Sequence, residues 1–117
     1  MNLLFIGIGG FFGAISRFAL NEFIIKLLPN TIALGTLSIN VIGCLLIGLY
    51  LGNSIPIKDS SYYFFVIGFL GSFTTMSAFT YQTVELINTN TFLATSYIIS
   101  TIFLCILATY IGTLISR

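Results

Sequence analysis

The chain has 117 residues, of which 57% are hydrophobic and only 6% are charged. Soluble domains carry about 25% charged residues, so this composition indicates an integral membrane protein. Four Lys and Arg against three Asp and Glu leave no basic face for nucleic acid. The chain contains no His, the usual general base and metal ligand, so we expect neither an enzyme nor a nucleic-acid-binding protein.

Apolar runs of about 20 residues predict membrane-spanning helices, and the chain has four of them. The predicted spans are residues 3–25, 31–51, 62–87 and 92–115. The connections between them are short, and the third is expected over residues 88–90. We therefore predict an all-α, multi-pass protein of the inner (plasma) membrane, with a single four-span membrane domain over residues 1–117. A bundle this thin barely encloses a pathway, so we also expect it to oligomerise.

The first predicted span combines small residues with a charged residue. Gly9 and Gly13 have the spacing that lets the backbones of two membrane helices approach closely. Arg17 lies inside the span, where a charge is costly and usually faces protein or water. Two interpretations stay open for Arg17: a buried structural or electrostatic role, or a side chain that extends to the membrane interface.

The second predicted span has an amide, Asn40, almost at its middle. An unpaired amide in hydrocarbon costs several kcal/mol, on the order of 2–7, so Asn40 must have a partner. That partner is either another helix, through an interhelical hydrogen bond, or an anion that passes the amide donor.

The third predicted span contains a run of hydroxyl residues and glycine from Gly71 to Ser77, which weakens helical propensity. We predict a break near the middle of this span, and exposed polar atoms at such a break are typical of an ion or substrate site. The alternative is that the small residues serve close helix packing. Beyond the break, Thr75, Ser77, Thr80 and Gln82 form a polar track, unless the hydroxyls bond back to their own helix.

The fourth predicted span places Tyr97, Thr101 and Cys105 on one face, because they recur every four residues. Tyr97 is also explained as an anchor at the membrane interface, but Thr101 is too deep for that. The two cysteines, Cys44 and Cys105, are interpreted as packing residues, with a pathway-lining role for Cys105 as the alternative.

Charge gives almost no preference for one orientation in the membrane. With four spans, Lys58 and Arg117 lie on one side, and Lys26, with Arg17 nearer to it, lies on the other. The positive-inside rule therefore has little to act on. Insertion in both orientations would favour an antiparallel dimer, in which the two breaks meet at the membrane midplane; alternatively, the count is too small to be informative.

Three motifs, in order and with the right spacing, resemble the Fluc/CrcB family of fluoride channels. The first is GGFFGAISR at residues 9–17, similar to the family's GGxxGAxxR. The second is GTLSINVIG at residues 35–43, similar to GTLxxNxxG. The third is GFLGSFTTMSAF at residues 68–79, similar to GxxGGxTTFSTF. The resemblance covers essentially the whole chain.

The resemblance implies a dual-topology antiparallel dimer with two pores that export fluoride passively. It also implies a structural sodium ion between the two third-span breaks, held by the backbone carbonyls of Gly71 and Thr74 from each subunit. Asn40 matches the pore asparagine of the family, and Arg17 matches its first-span arginine. The ion would lend positive charge to a nearly neutral protein that attracts anions.

The resemblance also implies a set of residues that line the fluoride pathway. They are Asn40, Thr75, Met76, Ser77, Phe79, Thr80, Tyr97 and Thr101. In the family, two phenylalanines present their electropositive ring edges to fluoride. Phe79 matches the second, whereas Met76 replaces the first and has no ring edge. Other departures are Ser72, Ala78, Gln82 and Cys105.

Two alternatives to a self-sufficient homodimer remain. Some members of the family work as heterodimers of two related chains, and Met76 makes this chain a candidate subunit of that kind. A small four-span drug/proton antiporter is a different class, which needs a titratable carboxylate within the membrane. Glu22 and Glu85 lie only near the ends of their spans, which argues against the antiporter.

Overall fold

The computed structural model describes residues 1–29, 32–52 and 55–116. Its elements are α1 (Asn2–Leu27), α2 (Ile32–Leu51), a π-helix π1 (Tyr62–Leu70), α3 (Gly71–Phe73), α4 (Met76–Thr89) and α5 (Thr91–Ser116). Four segments are long and apolar enough to cross a membrane, with Tyr62–Thr89 counting as one. The prediction of four helices long and apolar enough to span a membrane is therefore confirmed. The predicted span start at Thr31 and the charge at Arg117 lie outside the described residues.

The connection between the third and fourth spans is shorter than the predicted 88–90. Helix α4 continues to Thr89 and α5 begins at Thr91, so Asn90 alone separates them. The Asn90 side-chain oxygen accepts hydrogen bonds from the backbone N–H groups of Phe92 at 3.0 Å and Leu93 at 3.3 Å. This capping lets α5 begin directly after Asn90, because the polar side chain satisfies the first N–H groups that a helix leaves unpaired.

Helix α1 packs directly on π1 through its glycines. A Cβ atom added to Gly9 would overlap the carbonyl of Phe64, and one added to Gly13 would overlap Ser72 and the carbonyl of Phe69. The small-residue spacing predicted for close packing is therefore confirmed. The tight contact also explains why large side chains are excluded here, since backbones can approach this closely only without a Cβ.

Helices α2 and α5 form the other extensive contact and run parallel to each other. The hydroxyl of Thr109 donates to the carbonyl of Cys44 at 3.1 Å. Further along both helices, a Cβ added to Gly112 would lie 2.9 Å from the carbonyl carbon of Gly48. Because the partners advance together along the two chains, the helices point in the same direction, as alternate spans of an up-and-down bundle must.

Large apolar side chains point outward, whereas the interior is small and partly polar. Phe103 and Ile106 on α5 are exposed, as are Phe11 and Phe18 on α1. Hydrocarbon removes the hydrophobic drive to bury such side chains, so helix association relies on close packing and interhelical hydrogen bonds. The outward side chains are accordingly available to lipid or to another protein chain.

Candidate functional site

Two residues with extended backbone separate α3 from α4, and we call Thr74 and Thr75 the interruption. Thr74 has ψ 155° and Thr75 has φ −143°, so neither continues the helix. The Thr75 hydroxyl accepts a hydrogen bond from the N–H of Ala78 at 3.2 Å and thereby caps the start of α4. Thr74 bonds to the preceding helical turn: its hydroxyl donates to the carbonyl of Leu70 at 3.1 Å.

Asn40 on α2 pairs with the backbone of the interruption in both directions. Its Nδ2 donates to the carbonyl of Thr75 at 3.0 Å, and its Oδ1 accepts from the N–H of Thr75 at 2.8 Å. The amide thus takes the place of the helical partners that Thr75 lacks. The close approach depends on Gly43, where a Cβ would overlap the methyl group of Thr74.

Helix α1 contacts the other side of the interruption through Arg17 and Gly10. The Arg17 Nε donates to the carbonyl of Ser72 at 3.1 Å. The Ser72 hydroxyl lies 2.9 Å from the carbonyl oxygens of Gly10 and Gly68, so its one proton can serve either. Arg17 therefore makes an interhelical contact while its side chain stays partly exposed, and Ser72 contacts α1 from the other direction.

Helix α5 presents a buried hydroxyl and an aromatic pair. Thr101 is 6% exposed, and its Oγ1 is the one buried side-chain N or O atom in the described part of the chain that lacks a hydrogen-bond partner. The Tyr97 ring lies 5.1 Å from the Phe79 ring, centre to centre, and the Tyr97 hydroxyl donates to Gln82 at 3.0 Å. Tyr97 is buried, so its ring packs within the chain.

The remaining predicted residues lie on the outer side of α3 and α4. Met76 is 70% exposed, and Ser77 and Thr80 are also exposed, as is Gly71. The hydroxyls of Ser77 and Thr75 lie 3.4 Å apart, and the Thr80 hydroxyl bonds back to the carbonyl of Ser77 at 3.0 Å. Thr75, Ser77 and Thr80 therefore lie together, but Thr80 bonds back to its own helix, as the alternative to a polar track expects, and Gln82 turns inward.

A cleft of about 810 Å³ opens between α2, α4 and α5, at the end of the bundle that holds Pro29 and Asn88. Its polar lining includes Tyr97 and Gln82, together with residues that the sequence analysis did not assign to the site. Among these are Glu85, Ser96 and Ser100, each within four residues of Tyr97 or Gln82 along its own helix, and Asn88 and Thr89 near the end of α4. That helical spacing was the available signal, but it does not reveal which face of the helix opens to a cleft.

No cluster of three or more His, Cys, Asp or Glu side chains that could hold a metal occurs within residues 1–29, 32–52 and 55–116. A hard cation would therefore have to draw on other oxygen ligands, among them backbone carbonyls. Those of Gly71 and Thr74 flank the point where helical geometry ends, and neither accepts any of the hydrogen bonds found outside the regular helices of these residues.

Comparison with known proteins agrees with the motifs. The family model described as CrcB-like protein, Camphor Resistance (CrcB), matches residues 4–113. A protein of Campylobacter jejuni strain RM1221 named fluoride-specific ion channel FluC is 41% identical, over 98% of this chain and 97% of its own. Proteins of the same name from Thermosipho melanesiensis and Magnetococcus marinus are 36% and 31% identical. Both alignments cover 100% of this chain, and 97% and 98% of the respective relatives.

Proposed function

Because this chain belongs to the CrcB family of fluoride-specific ion channels, we propose that it conducts fluoride passively out of the cell and so lowers fluoride toxicity in the cytoplasm. Membership of an ion channel family means that the chain is not an enzyme. Its four apolar spans make it a multi-pass membrane protein, consistent with the plasma membrane.

The observation that carries this proposal is the pairing of Asn40 with the interruption. Asn40 is only 9% exposed, and its amide uses one of its two Nδ2 protons on Thr75. The second proton is a neutral donor held in a fixed position inside the membrane. Fluoride is small and strongly hydrated, so a pathway must replace its water with donors. A neutral donor does this without holding the anion as tightly as a full positive charge would.

Further donors lie on the helix that faces α2. The Thr101 hydroxyl is buried and has no partner within the described chain, so its proton is available to an anion that reaches it. Asn40 and Thr101 each lie four residues before a cysteine of the parallel α2 and α5 pair, which places them in facing turns. The Phe79 ring, packed on Tyr97, adds an electropositive edge on the same side.

The exposed polar side of α4 supports a dimer. Ser77, Thr80 and the backbone of Gly71 face outward from a membrane span, where lipid offers them no hydrogen bonds. A second copy, or a related chain, would cover this side. The balance of charges at the two ends of the bundle permits both insertions, so we propose the antiparallel arrangement in which the two interruptions meet.

The carbonyls at the interruption fit a structural sodium ion between the two copies. Gly71 is exposed, and the extended backbone of Thr74 turns its carbonyl out of the helical pattern. Hard cations prefer oxygen ligands of this kind, and each copy would contribute the same two carbonyls. The ion would supply a fixed positive charge near the pathway. We expect the dimer to unfold at a lower temperature when a large organic cation replaces Na⁺.

The exposure of Met76 favours a second candidate, a subunit of a heterodimeric channel. Met76 is 70% exposed, so its side chain contacts little of its own chain and is available to contact a second chain. Methionine gives that contact no ring edge. A related chain with an aromatic residue at this position would supply it. Family membership favours either channel form over the antiporter.

Fluoride efflux from liposomes that contain only the purified chain tests the proposal. We expect fast fluoride release at a fluoride electrode, no chloride release, and less fluoride release from Asn40→Asp. Folded protein that releases no fluoride would contradict the homodimer, and restored release after co-expression with a related chain would support the heterodimer. Release that requires an imposed proton gradient would overturn the passive mechanism.

A further inference from the structure

The two cysteines of the chain face each other across the contact between α2 and α5. Cys44 and Cys105 are both half-buried and reduced, and Cys105 lies one turn before Thr109 on the face of α5 that contacts Cys44. Contacts on both sides bracket this pair. Two turns earlier on each helix, Thr36 and Tyr97 are both buried. One turn later, the Thr109 hydroxyl donates to the Cys44 carbonyl at 3.1 Å. The pair is therefore held by packing along the whole parallel contact.

We propose that Cys44 and Cys105 form a chelating site for one soft divalent cation that prefers two sulfur ligands in a line, the class of Hg²⁺. Thiolates select soft metals. Residues 1–29, 32–52 and 55–116 contain no group of three His, Cys, Asp or Glu that could hold a metal, so a cation that requires a tetrahedral set, such as Zn²⁺, has too few ligands here. Two thiol ligands are enough for a cation that prefers a coordination number of two.

Charge selects a divalent cation over a monovalent one. Binding replaces two S–H bonds with two Hg–S bonds and releases two protons to water, with no oxidation or reduction. The product of Hg²⁺ and two thiolates is neutral, whereas Cu⁺ or Ag⁺ with two thiolates carries a net negative charge. A net charge within the membrane is costly, so the neutral complex is favoured. This site does not depend on the proposed fluoride conduction.

The test measures how firmly the folded protein holds mercury. The purified chain receives one equivalent of Hg²⁺ and is then dialysed against rising concentrations of a small monothiol, and bound mercury is read by intact mass. We expect one Hg²⁺ per chain, two protons lost, and no thiol left to react with maleimide. Chelation makes the second Hg–S bond intramolecular. Cys44→Ala and Cys105→Ala lack that bond, so they should lose mercury at monothiol concentrations at least about 10²-fold lower than those that strip the wild-type protein.

Two reagents and one sizing step serve as controls. Methylmercury forms only one Hg–S bond and should require one equivalent per thiol, whereas Cd²⁺, which seeks more ligands, should be removed by dialysis. Gel filtration verifies that the variants remain folded. The proposal is overturned if folded wild-type protein binds no mercury, if it binds one Hg²⁺ per cysteine, if both variants retain mercury as firmly as wild type, or if mercury links two chains into a cross-linked pair.

Discussion

Removal of the Asn40 amide should destabilise the chain strongly, because two backbone groups lose their partner. In Asn40→Ala, the N–H and the carbonyl of Thr75 both lose their side-chain partner, at 2.8 Å and 3.0 Å respectively. Asn40 is 9% exposed, so water cannot readily replace the amide. The substitution also leaves a gap beside the interruption that the small side chain of Ala does not fill.

The magnitude follows from the two backbone groups left without this partner. Each buried group that loses its partner costs about 1–3 kcal/mol, so we expect Asn40→Ala to lower the free energy of unfolding by about 2–6 kcal/mol. Asn40→Asp retains an acceptor for the Thr75 N–H and loses only the Nδ2 donor. It also places a carboxylate beside a carbonyl, so it should reduce fluoride efflux strongly even where the fold survives.

Reversible unfolding in mixed detergent micelles measures the free energy of unfolding, and liposome efflux measures fluoride conduction. Ser38→Ala is the matched control, because Ser38 lies half-buried on the same helix and makes no side-chain hydrogen bond among those of the described residues. The control should stay within about 0.5 kcal/mol of wild type. An Asn40→Ala protein as stable as this control would refute the role assigned to the amide.

Three further substitutions test the packing and the pathway. Gly9→Ala should cost about 1–3 kcal/mol of unfolding free energy, because its Cβ would overlap the Phe64 carbonyl. Gly7→Ala, where a Cβ meets nothing within 4 Å, should not destabilise the chain, and equal losses in both would contradict the close contact. Met76→Phe, at an exposed position, should leave stability within about 0.5 kcal/mol and raise fluoride efflux; unchanged efflux would count against Met76 as a pathway residue. Tyr97→Phe removes one side-chain hydrogen bond and should cost about 1 kcal/mol in the same unfolding assay, whereas an unaltered midpoint would show that this bond contributes nothing.

The sequence alone was sufficient for the spans and for the family. Hydrocarbon requires a crossing segment to satisfy its own backbone hydrogen bonds, so length and apolar composition identify the four helices without any tertiary information. The close packing at Gly9 and Gly13 was also predictable, because the spacing of small residues is a property of one helix. The error at residues 88–90 arose because polar residues at a helix end look like a loop, whereas capping by Asn90 shortens the connection to one residue.

The partners of the buried polar groups depended on the tertiary structure. Asn40 and Thr75 are 35 residues apart, and Arg17 and Ser72 are 55 apart. A sequence shows that each polar group requires a partner but does not show the rotation and the relative shift of two helices, which decide whether the groups meet. The same limit applies to side-chain direction on α4. The Met76 side chain turns outward, whereas that of Gln82 turns inward to Tyr97.

Local propensity also gave no indication of the π-helix over Tyr62–Leu70. The α and π patterns differ only in which carbonyl each N–H reaches, and the side chains of this segment suit both. In the folded chain this segment packs closely on α1: the carbonyl of Phe64 lies against Gly9, and the glycine at position 68 lies against the backbone of Ile6. Composition therefore determined that these helices cross the membrane, and the close contacts between their backbones determined which polar atoms face one another.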